Sequence, residues 1–590
     1  MTPDLSAPRH QSPPGVGDAP LDDALAPQRR PAARPWSGPL HESRALVWVL
    51  LGAFILITLY ALGVRTLVPP DEGRYAEIGR EMFASGDWIT TRLNGIKYFE
   101  KPPLQAWANA LTFSLFGLGE WQARLWTGLS AILGVVMTAW AGRVVFSRRV
   151  GLYAGLVLAS SLFWLACGQI SSLDMSLAGM MTLCLSSVLI AQRDAAGDGE
   201  RRAWMLAAWA AMALAVLAKG LVGIVLPGAV LVLYTLASRD WHIWRRLHIG
   251  KGLLLFFAVA APWFILVALR NPEQPYFFFI HEHFERFLTT GHRREGAWYY
   301  FIALLLPGVL PWLGLLPHGL GAGLKRDPGR FQPRLLLLIW AVFILVFFSC
   351  SSSKLPGYLV PVFPALALLI AVYLETAGRR PQLFAAGLLA LLGALMLIAV
   401  PVALVKGHGG AELREYRPWL MFAGGLLLGG GAAAWRFARQ SRRDLTVLTM
   451  AVAGFLATHL VVAGFEVYGK DRAGADLLPA IRAELTPKTK LYSVGGYEQS
   501  MTYYLERPAI LVDYTDEFAF GLEQEPQLAL RHMSDFMAQW RRDAAAGVPD
   551  MAIIGPLPYA RMLALGLPMR VVAQDRRRLV ISNQLSKERP

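Results

Sequence analysis

The chain has 590 residues, is 55% hydrophobic and only 17% charged, where soluble domains carry about 25% charged residues. This excludes an ordinary soluble enzyme and points to a polytopic membrane protein. The formal net charge of +15 follows from the gathering of lysine and arginine in the cytoplasmic loops of such proteins, so no nucleic-acid partner is expected. Cys167, Cys184 and Cys350 lie in or beside apolar runs without CxxC spacing, which gives neither a disulfide framework nor a structural zinc site of the usual kind.

Residues 1–43 are rich in Pro, Ala, Arg and Asp and lack apolar periodicity, as expected of a disordered cytoplasmic tail. From Ala45 to Glu466 about fourteen apolar runs recur, each near the roughly twenty residues that cross a bilayer. Orientation tests that count. The breaks richest in basic residues are 143–149, 193–202, 239–251, 325–334, 379–380 and 436–443. With every run spanning and the N-terminus inside, all of them fall outside, against the positive-inside rule. If the run at 103–119 does not cross, all of them fall inside. That run is short, carries Gln105 and Asn109 and begins at two prolines, so it reads as a juxtamembrane helix, leaving about thirteen spans. The transmembrane domain is then 44–467, with a first outer loop at 67–121.

That loop is the densest knot of charge in the membrane domain, and a connection of this length is usually functional. On this topology Asp174, Lys219, the segment 270–297 and the link 350–357 share its face. Residues 468–590 then change character. The short β-rich runs 491–494, 509–512, 551–554, 570–572 and 579–582 alternate with helical stretches at 473–484 and 528–544. This is the pattern of a small outer-face α/β domain, read as a packing or substrate-guiding cap.

Asp71 and Glu72 follow two prolines at the end of the first span, which holds the carboxylates at the membrane surface. Two readings stand: an orienting group or general base, or the acidic first turn of a helix. Asp174 opens one apolar run and Lys219 closes another. A charge at bilayer depth costs on the order of 2.5–3.5 kcal/mol and normally finds a partner, so an Asp71–Lys219–Asp174 network is expected. Tyr98, Glu100 and Lys101 stand together in YFEKPP. The aromatic and charged segment from Gln274 carries Arg286, Arg293 and Arg294, suited to a lipid phosphate by the bidentate reach of arginine. Lys354 and Tyr358, in SSSKLPGY, form a second candidate phosphate grip or else a polar turn. Within HEHFE, His281 and His283 with Glu100 raise a divalent metal such as zinc, the one cofactor left open.

The motifs DEGRYAEIGREM, YFEKPPL, AKGL and SSSKLPGYLVP, in order across Ala45–Val467, resemble the ArnT family. Its members are 4-amino-4-deoxy-L-arabinose lipid A transferases, among the polyprenyl-phosphate-sugar glycosyltransferases of GT-C fold. The resemblance implies a multi-pass bacterial inner-membrane enzyme with a periplasmic active site and C-terminal domain. Such an enzyme moves the sugar from undecaprenyl phosphate to a lipid A phosphate, masking negative charge and giving resistance to polymyxin and cationic peptides. Asp71 falls at the family's catalytic carboxylate, with Glu72, Asp174 and Lys219 around it. Lys101 and Arg286 fall where the departing phosphate is held, and Tyr98, Lys354 and Tyr358 join that lipid-phosphate set. An inverting displacement by a monomer is expected. The rival readings are a related transferase acting on protein or glycan hydroxyls, and a lipid-linked sugar transporter. Against the transporter, the chain shows no internal repeat and its polar residues gather at one surface.

Overall fold

The computed structural model describes residues 39–285, 296–406 and 410–585, with residues 281–285 by backbone alone. The expected tail at 1–43 lies almost wholly outside these. Among the described residues, ten helices are long and apolar enough to cross a membrane, from Arg44–Ala61 to Arg443–Ala473. Two bent pairs raise this to twelve: Arg148–Ser160 with Leu162–Gly168, and Tyr300–Gly308 with Leu313–Gly323. The expected thirteen is reached only if the shorter apolar helix Val222–Ser238 is taken as a crossing too. Pro307 near the end of Tyr300–Gly308 and Pro311 just after it explain why one uninterrupted apolar run in the sequence becomes a 110° break.

The first helix, α1 (Arg44–Ala61), leads into α2 (Asp71–Ser85), a short β1–β2 hairpin (Arg92–Leu93 and Ile96–Lys97), and α3 (Leu104–Phe116). The spanning helix α4 (Glu120–Val145) follows. At thirteen residues, α3 is about 20 Å long by the helical rise and cannot cross the apolar layer. It begins after Pro103 and stops at Gly117, which takes φ +78°. It packs on α2, where Asn109 donates to the Tyr75 carbonyl at 3.0 Å. The charge-count argument against this run spanning agrees with its geometry.

The C-terminal part is a six-stranded sheet in the order β5-β4-β3-β6-β8-β7. β3 (Lys490–Val494), β4 (Ile510–Val512), β5 (Ala529–Leu530) and β6 (Asp550–Ile554) run parallel, whereas β7 (Arg570–Gln574) and β8 (Leu579–Ser582) close it antiparallel. Parallel strands are covered on both faces. On one face Tyr492, Ala552 and Ile554 pack with Phe536 and Trp540; on the other Leu491, Met551 and Ile553 pack with Ile481 and Met501. The helix expected at 528–544 begins only at Met533, because Ala529–Leu530 is drawn into the sheet as an edge strand. Two residues are too few to carry a period. The helix expected at 473–484 is likewise interrupted at Gly474, which takes φ +65°.

This sheet domain docks on the first loop as well as on the end of the last span, where Arg578 donates to the Asp471 and Arg472 carbonyls. Asn94 and Ala509 exchange hydrogen bonds of 2.7 Å through the Asn94 amide, Arg92 forks onto Glu525 at 3.0 and 3.1 Å, and Ser500 donates to the Leu67 carbonyl at 2.8 Å. At Gly73 the approach is backbone to backbone: a Cβ there would stand 2.5 Å from the Ser500 nitrogen. Gly73→Ala should therefore destabilise the protein by about 1–3 kcal/mol through overpacking. Alanine's better helix propensity, about 1 kcal/mol, acts in the opposite direction. Thermal unfolding in detergent with limited proteolysis reads this, and an unchanged or raised midpoint would sink the docking argument.

Candidate active site

Where the first loop, the ends of several spans and the C-terminal domain meet, they enclose a cavity of about 780 Å³. Its wall includes Asp71, Arg74, Tyr75, Glu100 and Lys101 from the loop, Asp174, Lys219 and Tyr358 from the membrane helices, and Gln499, Glu517 and Phe520 from the C-terminal domain. Of the residues expected from sequence, Asp71, Asp174, Lys219, Lys101, Glu100 and Tyr358 are thus brought together.

Asp71 is the first residue of α2, where a carboxylate is favoured by the helix dipole. Its side chain is 51% exposed and pairs with Arg74 at 3.1 Å, one helical turn on. Asp174 lies in the first turn of the helix Leu173–Ala191, and Lys219 ends the helix Asp198–Lys219. Each charge therefore sits at the helix end that stabilises it, and the two form an ion pair with each other. The Lys219 ammonium also lies 4.4 Å from the Tyr358 ring centroid, a cation–π contact. Gly357 lets the backbone press onto this pair, since a Cβ there would be 2.4 Å from the Asp174 carboxyl carbon. The Asp174–Lys219 half of the expected network is formed, and Asp71 carries a cation partner, Arg74, that the sequence reading passed over.

Three expected site residues take other roles. Glu72 is turned away from the cavity and is 1% exposed. Its carboxylate accepts from Arg124 at 2.6 and 3.0 Å and from the backbone of Val68 and Ser171 at 3.0 Å, with Arg65 at 3.6 Å. Burial alone would raise its pKa, but the two guanidiniums outweigh it and hold the group down at about 2. It is a structural anchor. Lys354 does not reach the cavity wall; its ammonium caps the helix Pro333–Cys350, donating to the carbonyls of Phe348, Ser349 and Ser351 at 3.2, 2.6 and 2.8 Å. A cation at a helix C-terminus satisfies orphan carbonyls, and here three of them take up the ammonium. Tyr98 is buried behind the wall, beside Tyr75 and Lys101. Burial drives its phenol well above the usual range, so it stands as a neutral hydroxyl.

Lys101 donates to the Glu100 carbonyl at 2.8 Å. Arg286 and the side chains of His281 and His283 lie outside the described residues. Among the described residues no three His, Cys, Asp or Glu side chains cluster as metal ligands. Arg74 could have been found from its i+3 spacing to Asp71, whereas Gln499, Glu517 and Phe520 come from a domain more than 400 residues away, in a stretch without a motif. The Glu517 carboxyl is pushed above the ordinary range by burial, against the pull of Arg74.

Comparison with known proteins places this geometry. Residues 477–583 match the aminoarabinose transferase C-terminal domain. Residues 100–266 match the dolichyl-phosphate-mannose-protein mannosyltransferase model. The chain is 32% identical to an undecaprenyl phosphate-alpha-4-amino-4-deoxy-L-arabinose arabinosyl transferase of Sodalis glossinidius, covering 89% of this chain and 96% of that one. To the corresponding protein of Edwardsiella ictaluri it is 31% identical, over 80% and 87%. The crystal structure of ArnT from Cupriavidus metallidurans bound to undecaprenyl phosphate superposes with a TM-score of 0.87 at 41% identity, covering 93% of this chain and all of that one. Fold and matches together define a multi-pass membrane glycosyltransferase of GT-C architecture. Within that class, the chain belongs to the ArnT family, the undecaprenyl phosphate-aminoarabinose arabinosyl transferases.

The anchor at Glu72 has a measurable signature. Its folded pKa of about 2 lies below the ordinary 4.5, so its contribution to stability is complete above pH 4.5 and is lost as pH falls towards 2. Glu72→Gln should cost about 3–5 kcal/mol near neutrality, because it leaves Arg124 buried without its counter-charge. The gap between wild type and variant in detergent melting should narrow below pH 4.5, and a pH-independent gap would refute the assignment.

Proposed function

We propose that this protein transfers 4-amino-4-deoxy-L-arabinose from undecaprenyl phosphate to a lipid A phosphate at the periplasmic face of the bacterial inner membrane, with Asp71 as the catalytic carboxylate. The observation that carries this reading is the likeness over the whole membrane domain to the undecaprenyl phosphate-bound ArnT structure. It joins a cavity in which Asp71 faces Lys101 and the Asp174–Lys219 pair. The masking of lipid A charge that follows gives resistance to polymyxin and other cationic peptides. The N-terminus is cytoplasmic, and the C-terminal domain shares the periplasmic face with the cavity. A monomer is the proposed working unit.

The chemistry follows from charge. A polyprenyl phosphate departs readily only when the charge developing on it is stabilised, and preorganised cations in a water-poor site do this best. Lys101 at the wall is a described cation suited to that task, and the family resemblance assigns the same task to Arg286, which lies outside the described residues. A lipid A phosphate oxygen is already anionic near neutrality, so Asp71 has no proton to remove. It instead orients the acceptor or steadies the positive charge building on the sugar, in an inverting displacement at the anomeric carbon. Lys219, neutralised by Asp174 and braced on Tyr358, keeps the floor beneath Asp71 rigid and excludes water from it.

The experiment is mass spectrometry of lipid A from cells with and without the gene. A pentosamine-sized adduct is expected only with the gene. Asp71→Asn should remove the adduct, a loss of about a hundredfold or more, with membrane insertion intact. Lys101→Ala should slow transfer by about a hundredfold. An adduct of normal abundance in Asp71→Asn would defeat the catalytic assignment, and no adduct from the wild-type gene would defeat the acceptor.

A further inference from the structure

We propose that Glu517 of the C-terminal domain is a positioning residue for the transfer reaction, its carboxylate holding Arg74 so that the guanidinium sets the direction of Asp71. The inference rests on the reading of Asp71 as the catalytic carboxylate. Arg74 lies between two acids: its Nε is 2.7 Å from Glu517 Oε2, and its Nη1 is 3.1 Å from Asp71 Oδ1. The two carboxylates are not equivalent. The Glu517 side chain is 9% exposed, whereas that of Asp71 is 51% exposed and open to the cavity. The buried acid therefore fixes the cation, and the cation lends a direction to the exposed one.

Glu517 is itself held at Oε1 by a hydrogen bond from Gln499 at 2.9 Å, which leaves Oε2 for the ion contact with Arg74. Its backbone is fixed just as firmly. The neighbouring Phe518 is fully buried and meets Tyr497 edge-on at 5.0 Å. Phe520 stacks on Phe277 at 4.0 Å and lies 6.1 Å from Phe99. At Gly521 the chain passes so close to the first loop that a Cβ would stand 2.3 Å from the Lys97 carbonyl oxygen. A side chain whose own rotamer and backbone are locked by packing is what a precise reacting geometry needs behind it. A long, mobile arginine would not by itself hold Asp71 to one direction. Glu517 also shares the guanidinium charge, so Arg74 orients Asp71 without quenching it against the sugar.

The test is steady-state kinetics of the purified full-length enzyme in detergent with undecaprenyl-phosphate-linked aminoarabinose and lipid A, alongside melting curves. Glu517→Gln should lower kcat by about tenfold to a hundredfold, the scale of a small misplacement at a reacting centre, with KM for the donor within about twofold and the melting midpoint unchanged. Glu517→Asp should recover part of the loss. In an Arg74→Gln background, Glu517→Gln should add no further loss, since the route through Arg74 is already cut. Wild-type kcat in Glu517→Gln, or losses that multiply in the double variant, would overturn the proposal. Should Glu517→Gln unfold, Gln499→Ala loosens the same carboxylate and should lower kcat by a few-fold; wild-type kcat there, with Glu517→Asp also normal, would overturn it equally. Asp71→Asn is run in parallel. If that variant is active, the underlying reading has failed; if it is inactive while Glu517→Gln is normal, only this inference has.

Discussion

The organisation of this protein depends on one buried ion pair, Arg124 with Glu72. Arg124 is fully buried near the start of a spanning helix, and a charge so placed is sustained only if its donors are met. They are: the guanidinium's hydrogen bonds run to both Glu72 oxygens and to the carbonyls of Leu62, Arg65 and Thr66. Three backbone oxygens and one carboxylate take up the fork of five N–H groups. The pair thereby fixes the end of α1, the turn after it and the first turn of α2 as one unit. Successive residues on a helix diverge by about 100°. Locking Glu72 inward leaves Asp71, its neighbour, pointing at the cavity. The buried carboxylate aims the exposed one.

The same economy recurs around the site. Charged groups sit where a helix end already favours their sign: Asp71 and Asp174 in first turns, Lys219 at a last turn, and Lys354 folded back onto the end of the helix before it. A helix terminus is where unpaired carbonyls or N–H groups would otherwise be left, so Asp71, Asp174 and Lys219 stabilise their helices and furnish the cavity at once. Which of them is available to a substrate is decided by what remains unsatisfied. The Lys354 ammonium is used up by three carbonyls, and the Lys219 ammonium is shared between Asp174 and the face of Tyr358.

Much of this was legible in the amino-acid order. The distribution of basic breaks showed that α3 does not cross, and the expense of Asp174 and Lys219 in apolar sequence showed that they would pair. The periods of the C-terminal strands located five of its six strands. What was not legible has a common physical cause. Asp71 and Glu72 are chemically alike and adjacent, and only the arrival of Arg124, 52 residues later, separates the buried anchor from the carboxylate at the cavity. Lys354 reads as a free cation until the carbonyls of its own preceding helix are seen to claim it. The break at Pro307–Pro311 is hidden by the hydrophobicity of the run. In the first two cases the deciding partner is a distant residue or a backbone group, neither of which leaves a pattern in composition or spacing.

The C-terminal domain is the largest gap between the two views, and its placement explains the shape of the site. A transferase must keep water from its reacting centre, since water competes as acceptor. Membrane helices alone supply a floor and side walls but no cover at the aqueous surface. Here the cover is the stretch carrying Tyr514, Glu517 and Phe520, held to the first loop through Asn94, Arg92 and the close approach at Gly73. It grips the loop that bears Asp71 as well as the end of the span it emerges from, where Arg578 donates to the Asp471 and Arg472 carbonyls. Cover and Asp71-bearing loop are thereby joined by direct contacts.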